Sequence, residues 1–389
     1  MKHRNTLFHQ LLTFLPRNQF QKIVDKHQGD YRTRRLNTWN QFVVMLFSQL
    51  SKRESLRDLT DSFNSQKAQH YHLGVNSVCR SSLSEANKKR SVNIFQDTFF
   101  FLLNKVQDQL PKKEVSQMVR LIDSSTINLN LNQFEWAKFR KTKAGIKLHT
   151  VYDPNAAIPI YFAMTQAKTN DRKGLDQLPM ESGVTYVVDR AYNDYSWYYQ
   201  LTQLNSKFVG RMKVNTVYKV VKEQKIDTKN NPMILLDELI RLDSKQAKKD
   251  CPTDLRRIVL QRGTDDKTLV FITNDLTRTA QEIADLYKQR WEIELFFKWI
   301  KQNLKIKTFL GRSENAVLIQ VLVAMIAYLL LKLTQLASST NASLQKIARL
   351  FSVNLTHKIS VFELLYPDKL KPKIRSCMPL TLEYQGDLF

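Results

Sequence analysis

The stretch MVRLIDSSTINLN, residues 118–130, decides how this chain is to be read. It is an apolar run rich in β-branched residues that passes into polar positions, the pattern of a buried strand. Nothing before it looks alike. FHQLLTFL, TWNQFVVMLFSQL and VNIFQDTFFFLLNKVQ space their apolar residues at helical intervals, so residues 1–115 are expected to be all helical. After it the kinds of element mix. KLHTVYDPNAAIPIYFAMTQA predicts two strands joined by a turn at Asp153, Pro154 and Asn155. GVTYVVDRAY adds a strand, YNDYSWYYQLTQL a helix and KFVGRM another strand. Strands first, then a strand followed by a helix, spell an α/β class with a mixed sheet.

Further along, KVNTVYKVVKEQ, MILLDELIRL and DLRRIVLQR read as short strands separated by polar, Lys-rich connections. TLVFITND then returns as a strand, and LTRTAQEIADLYKQRWEIELFFKWIKQNL is helical. The expected division is a helical domain over 1–115, a core in two parts (116–211 and 267–340), an inserted β subdomain over 212–266 and a basic tail over 341–389. The segment from Ala316 to Leu336 is long and apolar enough for a bilayer, with only Gln320 and Lys332 interrupting. It has no companion and charged sequence on both sides, so it is read as a helix buried on all sides, and no membrane is expected.

Lys and Arg number 60 against 36 Asp and Glu, a net charge of +24. Such an excess points to a polyanionic partner, most often nucleic acid. It is steep over residues 1–90, where Ser82-Leu83-Ser84-Glu85 has the spacing of a capping box opening a helix with Lys88, Lys89 and Arg90. A basic helical module of this kind is expected to contact DNA. The three cysteines, Cys79, Cys251 and Cys377, fit neither a disulfide framework nor a zinc site, which suits the cytoplasm. The N-terminus lacks the apolar core of a signal peptide.

Chemistry is concentrated in acidic residues. At about 100° per residue, Tyr287, Arg290, Glu294 and Lys301 fall within roughly 60° of one another on a helix, whereas Glu292 projects to the other side. Asp123 in RLIDSST and Asp189 in YVVDRAY are expected at strand ends, with apolar residues behind them. With Glu294 they make a three-carboxylate set from two strands and a helix. Hard divalent cations take such oxygen ligands and share substrate phosphates, and two of them can serve in-line attack at phosphorus. A loop between the first two strands carries Lys138, Arg140, Lys141, Lys143, Lys147 and His149, placed to neutralise DNA phosphates, with His149 either structural or a phosphate contact. Ser124 and Ser125 lack any nucleophile elbow, and no Walker A or dinucleotide fingerprint occurs among nine glycines.

Asp123, the DRAYND around Asp189, the KLHTVYD that follows the first Asp, and the Tyr-x2-Arg-x3-Glu-x6-Lys stripe together resemble the DDE transposases of the insertion sequence four family. LRDLTDSF and SSLSEANKKR are similar to the helical N-terminal domain of one branch of it. The resemblance implies an RNase H-like catalytic core in which Asp123, Asp189 and Glu294 bind two Mg²⁺ ions, with Mn²⁺ as an alternative. It places Tyr287, Arg290 and Lys301 on phosphates at the transposon end, and we add Lys298 and Arg190 as basic neighbours. It further implies a homodimer that pairs terminal inverted repeats in a synaptic complex, nicks by hydrolysis and joins the 3′-hydroxyl to target DNA. Some members release the element through a DNA hairpin with help from an aromatic residue in the inserted β region; here that region holds only Tyr218. A catalytically silent DNA-binding protein and a nuclease without strand transfer are the alternatives.

Overall fold

Polar caps and helical spacing set seven helices ahead of the first strand: α1 Leu7–Leu12, α2 Arg17–Lys26, α3 Thr38–Ser51, α4 Leu56–Asn64, α5 Lys67–Leu73, α6 Arg80–Lys89 and α7 Val92–Asp108. Asn37, Ser55 and Ser91 accept from backbone N–H groups of α3, α4 and α7 and so fix where these begin. The expected capping box at Ser82 is not one. Helix α6 begins at Arg80, its N-cap Cys79 makes no side-chain capping bond, and Ser82 to Glu85 lie inside the helix. The computed structural model describes residues 5–226, 231–261, 263, 268–306 and 308–367; Cys377 and the end of the expected basic tail lie outside these.

The strands follow: β1 Val119–Leu129, β2 Lys138–Arg140, β3 Lys143–Asp153, β4 Ile158–Gln166, β5 Thr185–Val188, β6 Lys207–Arg211, β7 Tyr218–Glu223, β8 Ile234–Leu242, β9 Leu255–Gln261 and β10 Thr268–Thr273. They join in one mixed sheet, ordered β2-β3-β1-β5-β6-β10-β9-β8-β7, with β4 on β3. Between and after them come α8 Asp171–Gly174, α9 Tyr195–Gln203, α10 Lys245–Asp250, α11 Ala280–Gln289, α12 Trp291–Asn303, α13 Glu314–Ala337, α14 Leu344–Asn354 and α15 Val361–Leu365. The strands of 212–266 do not build a sheet of their own. β9 pairs with β10, which pairs with β6, so the insertion lengthens one edge of the main sheet.

Alternation along the strands gives the sheet two cores. Leu121, Ile127, Ile146 and Leu148 face the larger one with α12 and α13, while Ile122, Val151 and Val188 face a smaller one with Trp197, Tyr198 and Leu201 of α9. Helix α13 is apolar all round and accordingly buried all round. Its packing partners are α1, α3, α6, α7 and α14, so it is the central helix of the N-terminal bundle and not only a part of the core that follows the insertion. Its buried Gln320 is satisfied by the Leu310 N–H and by the carbonyls of Lys305 and Thr308. From 341 onward a tail was expected; the described part instead folds as α14 and α15, with α14 against α3, α12 and α13.

Candidate active site

Parallel pairing of β1 and β5 ends at Ile122 opposite Val188, so the next residues, Asp123 and Asp189, sit side by side at one level of the sheet. Asp123 is not at a strand end. Its strand runs on to Leu129 against β3, and only the parallel partner stops. Asp189 leads into a short 3₁₀ turn, Arg190–Tyr192.

Helices α11 and α12 lie over these aspartates. The expected single helix is interrupted at Arg290, which keeps right-handed helical dihedrals (φ −51°, ψ −29°) while the hydrogen bonds tighten to three-residue spacing. One tight turn does not disperse the stripe. The Tyr287 hydroxyl donates to Asp189 Oδ1 at 3.1 Å. The Arg290 guanidinium lies 2.6 Å from Glu294 Oε1 and 3.5 Å from Asp123 Oδ2, bridging two of the three carboxylates. Lys301 Nζ donates to Ser125 Oγ at 2.6 Å and to the Thr126 carbonyl at 3.0 Å. Three of the four stripe residues thus meet Asp123, Asp189 or the strand that carries Asp123, and Glu294 joins them through Arg290; Tyr287, Arg290 and Lys301 hold protein groups here where phosphate contact was expected.

The electrostatics follow from crowding. Burial raises the Asp123 carboxyl to about 6; Glu294 and Asp189 push the same way, while the Ser124 N–H and Arg290 oppose. Burial, then the Asp189 charge, lifts the Tyr287 phenol to about 12. Arg290 is held above its ordinary value despite its burial, by Tyr287, Glu294 and Asp189. Glu292 is raised by burial and by Asp153, a neighbour remote from this stripe. Among the described residues no three His, Cys, Asp or Glu side chains are gathered into a ready-made metal cage, and the guanidinium between Asp123 and Glu294 accounts for that.

The other expected residues divide. Lys298 is exposed one turn beyond Glu294, and exposed Arg190 lines a cavity of about 570 Å³ with Asp189, Lys213 and Asn215. Lys143 is exposed but pairs with Arg140, seven residues down β3 from the partner of Asp123, a span of roughly 23 Å. Lys147 and His149 lie on the opposite face of the sheet from Asp123, because they pair with Thr126 and Ser124. The His149 ring is fully buried, bonds Thr165 Oγ1 at 3.0 Å and packs against Gly174, where any side chain would collide with it. Burial pulls it down to about 4, so it is a neutral structural residue with no surface to offer DNA. Lys88 and Lys89 are exposed on α6, far along the chain from these carboxylates, whereas the Arg90 side chain is only 7% exposed and serves the protein.

Two features escaped the sequence reading. Asp171 at the start of α8 accepts from Ser124 Oγ at 2.5 Å and lies 3.1 Å from Lys147 Nζ, directly behind Asp123, whose Oδ1 accepts from the Ser124 N–H at 2.7 Å. No spacing could have shown it, because the contact crosses from β1 to a separate loop. Trp291, next to Arg290 on the chain, is 58% exposed.

A family model described as a transposase DDE domain matches residues 115–330, the sheet and both helices that carry the site. The chain belongs to the DDE transposase family. It is 40% identical over 253 residues to a protein of Sinorhizobium fredii named as a transposase, y4zB, covering 64% of this transposase and 70% of that protein. It is 31% identical over 281 residues to one named for insertion sequence element IS5377 of Geobacillus stearothermophilus, covering 71% and 74%. A third, named for insertion sequence element IS4SA of Synechocystis, is 26% identical over 283 residues, covering 72% and 79%. A solved synaptic complex of the piggyBac transposase with hairpin DNA aligns over 96% of this transposase and 84% of that chain, at 12% identity and a TM-score of 0.47. Residues 3–76 match a second model, described only as a domain of unknown function.

Proposed function

We propose that this transposase cuts the ends of an insertion sequence and joins them to target DNA by divalent-metal chemistry at Asp123, Asp189 and Glu294. The observation that carries the reading is that Arg290 bridges Asp123 of β1 and Glu294 of α12, while Tyr287 bonds Asp189 at the end of the parallel neighbour strand. Burial raises Asp123 to about 6, with smaller pushes from Glu294 and Asp189, and a bound cation would favour its charged form. On this reading the carboxylates of Asp123, Asp189 and Glu294, oxygen donors of the kind hard cations take, would hold two Mg²⁺ ions, or Mn²⁺ in their place, on an RNase H-like core. When bound there, such ions supply an activated oxygen nucleophile and a counter-charge for the leaving oxygen.

The chain's own groups orient the rest. Arg290 bridges Asp123 and Glu294, and its guanidinium is of the kind that takes a phosphate in a two-point bond. Tyr287 fixes Asp189, and Lys301 fixes β1 beside Asp123. Exposed Lys298, Arg190 and Lys213 are placed for the flanking phosphates. In the first step a water oxygen bonds to phosphorus, loses a proton to solvent and leaves a free 3′-hydroxyl where the P–O bond breaks. That hydroxyl then makes the same displacement on target DNA. Paired inverted repeats require two copies, so the working species is a homodimer.

The test supplies purified protein, Mg²⁺ and a duplex bearing the repeats that flank the gene. Cleaved and joined products are expected. Binding without cleavage contradicts the reading, and cleavage without joining reduces it to a nuclease.

A further inference from the structure

Arg120, Arg256 and Arg290 are all drawn largely out of solvent, yet they are bonded unequally. Arg256 engages every guanidinium nitrogen, two on Asp237 at 2.8 and 2.7 Å and the third on the carbonyls of Asp275 and Arg278. Arg120 does likewise, with two nitrogens on Glu181 at 2.7 and 3.0 Å and the third on Asp153 at 2.9 Å. Both serve the fold. Arg290 is held by less. One nitrogen lies 2.6 Å from Glu294 Oε1, a second stands 3.5 Å from Asp123 Oδ2, longer than an ordinary hydrogen bond, and the buried Nε has no partner. An unpaired buried donor is costly, so one kept at a working site calls for a reason.

The place that Arg290 occupies supplies that reason. Its guanidinium spans Asp123 and Glu294, two of the carboxylates that the proposed function gives to divalent ions. It also stands 5.7 Å from the ring centre of Tyr287, whose hydroxyl holds Asp189. A guanidinium and a divalent ion drawn to the same oxygens repel one another, and burial strengthens that repulsion by lowering the local dielectric. The two cations therefore compete for Asp123 and Glu294. A phosphate offers the guanidinium a planar two-point bond, which engages nitrogens left underused here. Only the bond to Glu294 is short, so one firm contact is all that such a partner has to replace.

We propose that Arg290 is a DNA-operated gate on the metal site: in the free chain its guanidinium takes the cation's place between Asp123 and Glu294, and a phosphate of the bound duplex draws it off and frees both carboxylates for a divalent ion. The proposal rests on the reading that Asp123, Asp189 and Glu294 hold divalent ions for cleavage. It adds that the two ligands of the protein are coupled. DNA that removes the guanidinium raises the affinity for metal, and by linkage metal raises the affinity for DNA by the same factor. Divalent-metal chemistry is then confined to chains already seated on DNA.

The test reads Mn²⁺ affinity by electron paramagnetic resonance of the free ion, first on the full chain without DNA. Arg290→Gln, which removes the charge and keeps much of the length, should bind Mn²⁺ roughly tenfold more tightly than wild type. Arg290→Lys, which keeps the charge, should stay close to wild type. A guanidinium that merely holds the carboxylates in place predicts looser binding in Arg290→Gln; that result, or an unchanged affinity in a variant of normal circular dichroism, overturns the proposal. The second arm adds a duplex that ends at the last base pair of the flanking repeat in a 3′-dideoxy nucleotide, leaving nothing to cut or join. It should tighten Mn²⁺ binding by wild type about 10- to 100-fold beyond protein and duplex measured apart, and tighten it much less in Arg290→Gln. No tightening in wild type, or equal tightening in both proteins, overturns the gate. Glu294→Gln separates this proposal from the reading beneath it. If that variant binds Mn²⁺ as wild type does, the metal reading fails and the gate with it. If it binds more loosely while Arg290→Gln does not bind more tightly, the metal reading stands and the gate alone falls.

Discussion

Asp123 and Ser124 are neighbours on β1, yet they look out on opposite sides of the sheet. On the side of Asp123 stand Ser125, Arg290, Glu294 and Lys301, half-buried and charged, under α12. On the side of Ser124 stand His149, Lys147 and Asp171, closed in by β4 and α8. The first face leaves its carboxylates partly exposed. The second pairs most of its polar groups with one another, with His149 Nδ1 left without a hydrogen-bond partner. Strand alternation, which puts successive side chains on opposite faces, has separated a working surface from its support.

If that separation is right, disturbing the first face should cost most. Arg290→Ala removes the charge that bridges Asp123 and Glu294, and cleavage should fall on the order of a hundred- to a thousandfold. A loss under tenfold in a single-turnover assay would mean the guanidinium is only packing. Asp171→Asn strikes the support. With its partner to Ser124 weakened, Mn²⁺ affinity, read by electron paramagnetic resonance, should drop about 10- to 100-fold while the fold survives. An unchanged affinity would make the far face purely structural.

His149 tests the closed nature of that face through pH. Its folded pKa, about 4, lies below the ordinary 6.5, so between these values the unfolded chain takes a proton that the folded chain refuses. Stability should therefore fall as pH drops from about 6.5 towards 4, by about 3 kcal/mol from this group. Urea unfolding of His149→Asn at pH 7.5 and 4.5 should lack that component; equal pH dependence in both proteins would place the ring in contact with solvent. Lys143→Ala should do least. At roughly 23 Å along β3 from the carboxylates it should leave cleavage unchanged, and a clear defect would extend the working face much farther down the strand than drawn here.

What could be read in advance, and what could not, follows the range of the interactions. The run at 118–130 announced its strand because hydrophobic patterning is local. The stripe at Tyr287, Arg290, Glu294 and Lys301 was visible because helical geometry is regular, and it survived even the break at Arg290. Register was not legible. Whether His149 faces Asp123 or turns away is settled by its pairing with Ser124, a single-residue matter that no spacing in the β3 sequence discloses. Nor could composition tell that α13 serves the N-terminal bundle, that β7 to β9 lengthen the main sheet, or that Arg90, basic and in a basic run, is spent on a loop. Each of those depends on partners distant in the chain.

The central claim is that Asp123, Asp189 and Glu294 form one metal-dependent site whose loss is catalytic and not structural. Glu294→Gln tests it most directly, since it keeps shape and removes one ligand charge. Wild type and variant are given the flanking-repeat duplex, with anisotropy measured first and Mg²⁺ then added to follow cleavage. The account predicts equal end binding and no cleavage by the variant. Cleavage retained in the variant would contradict it.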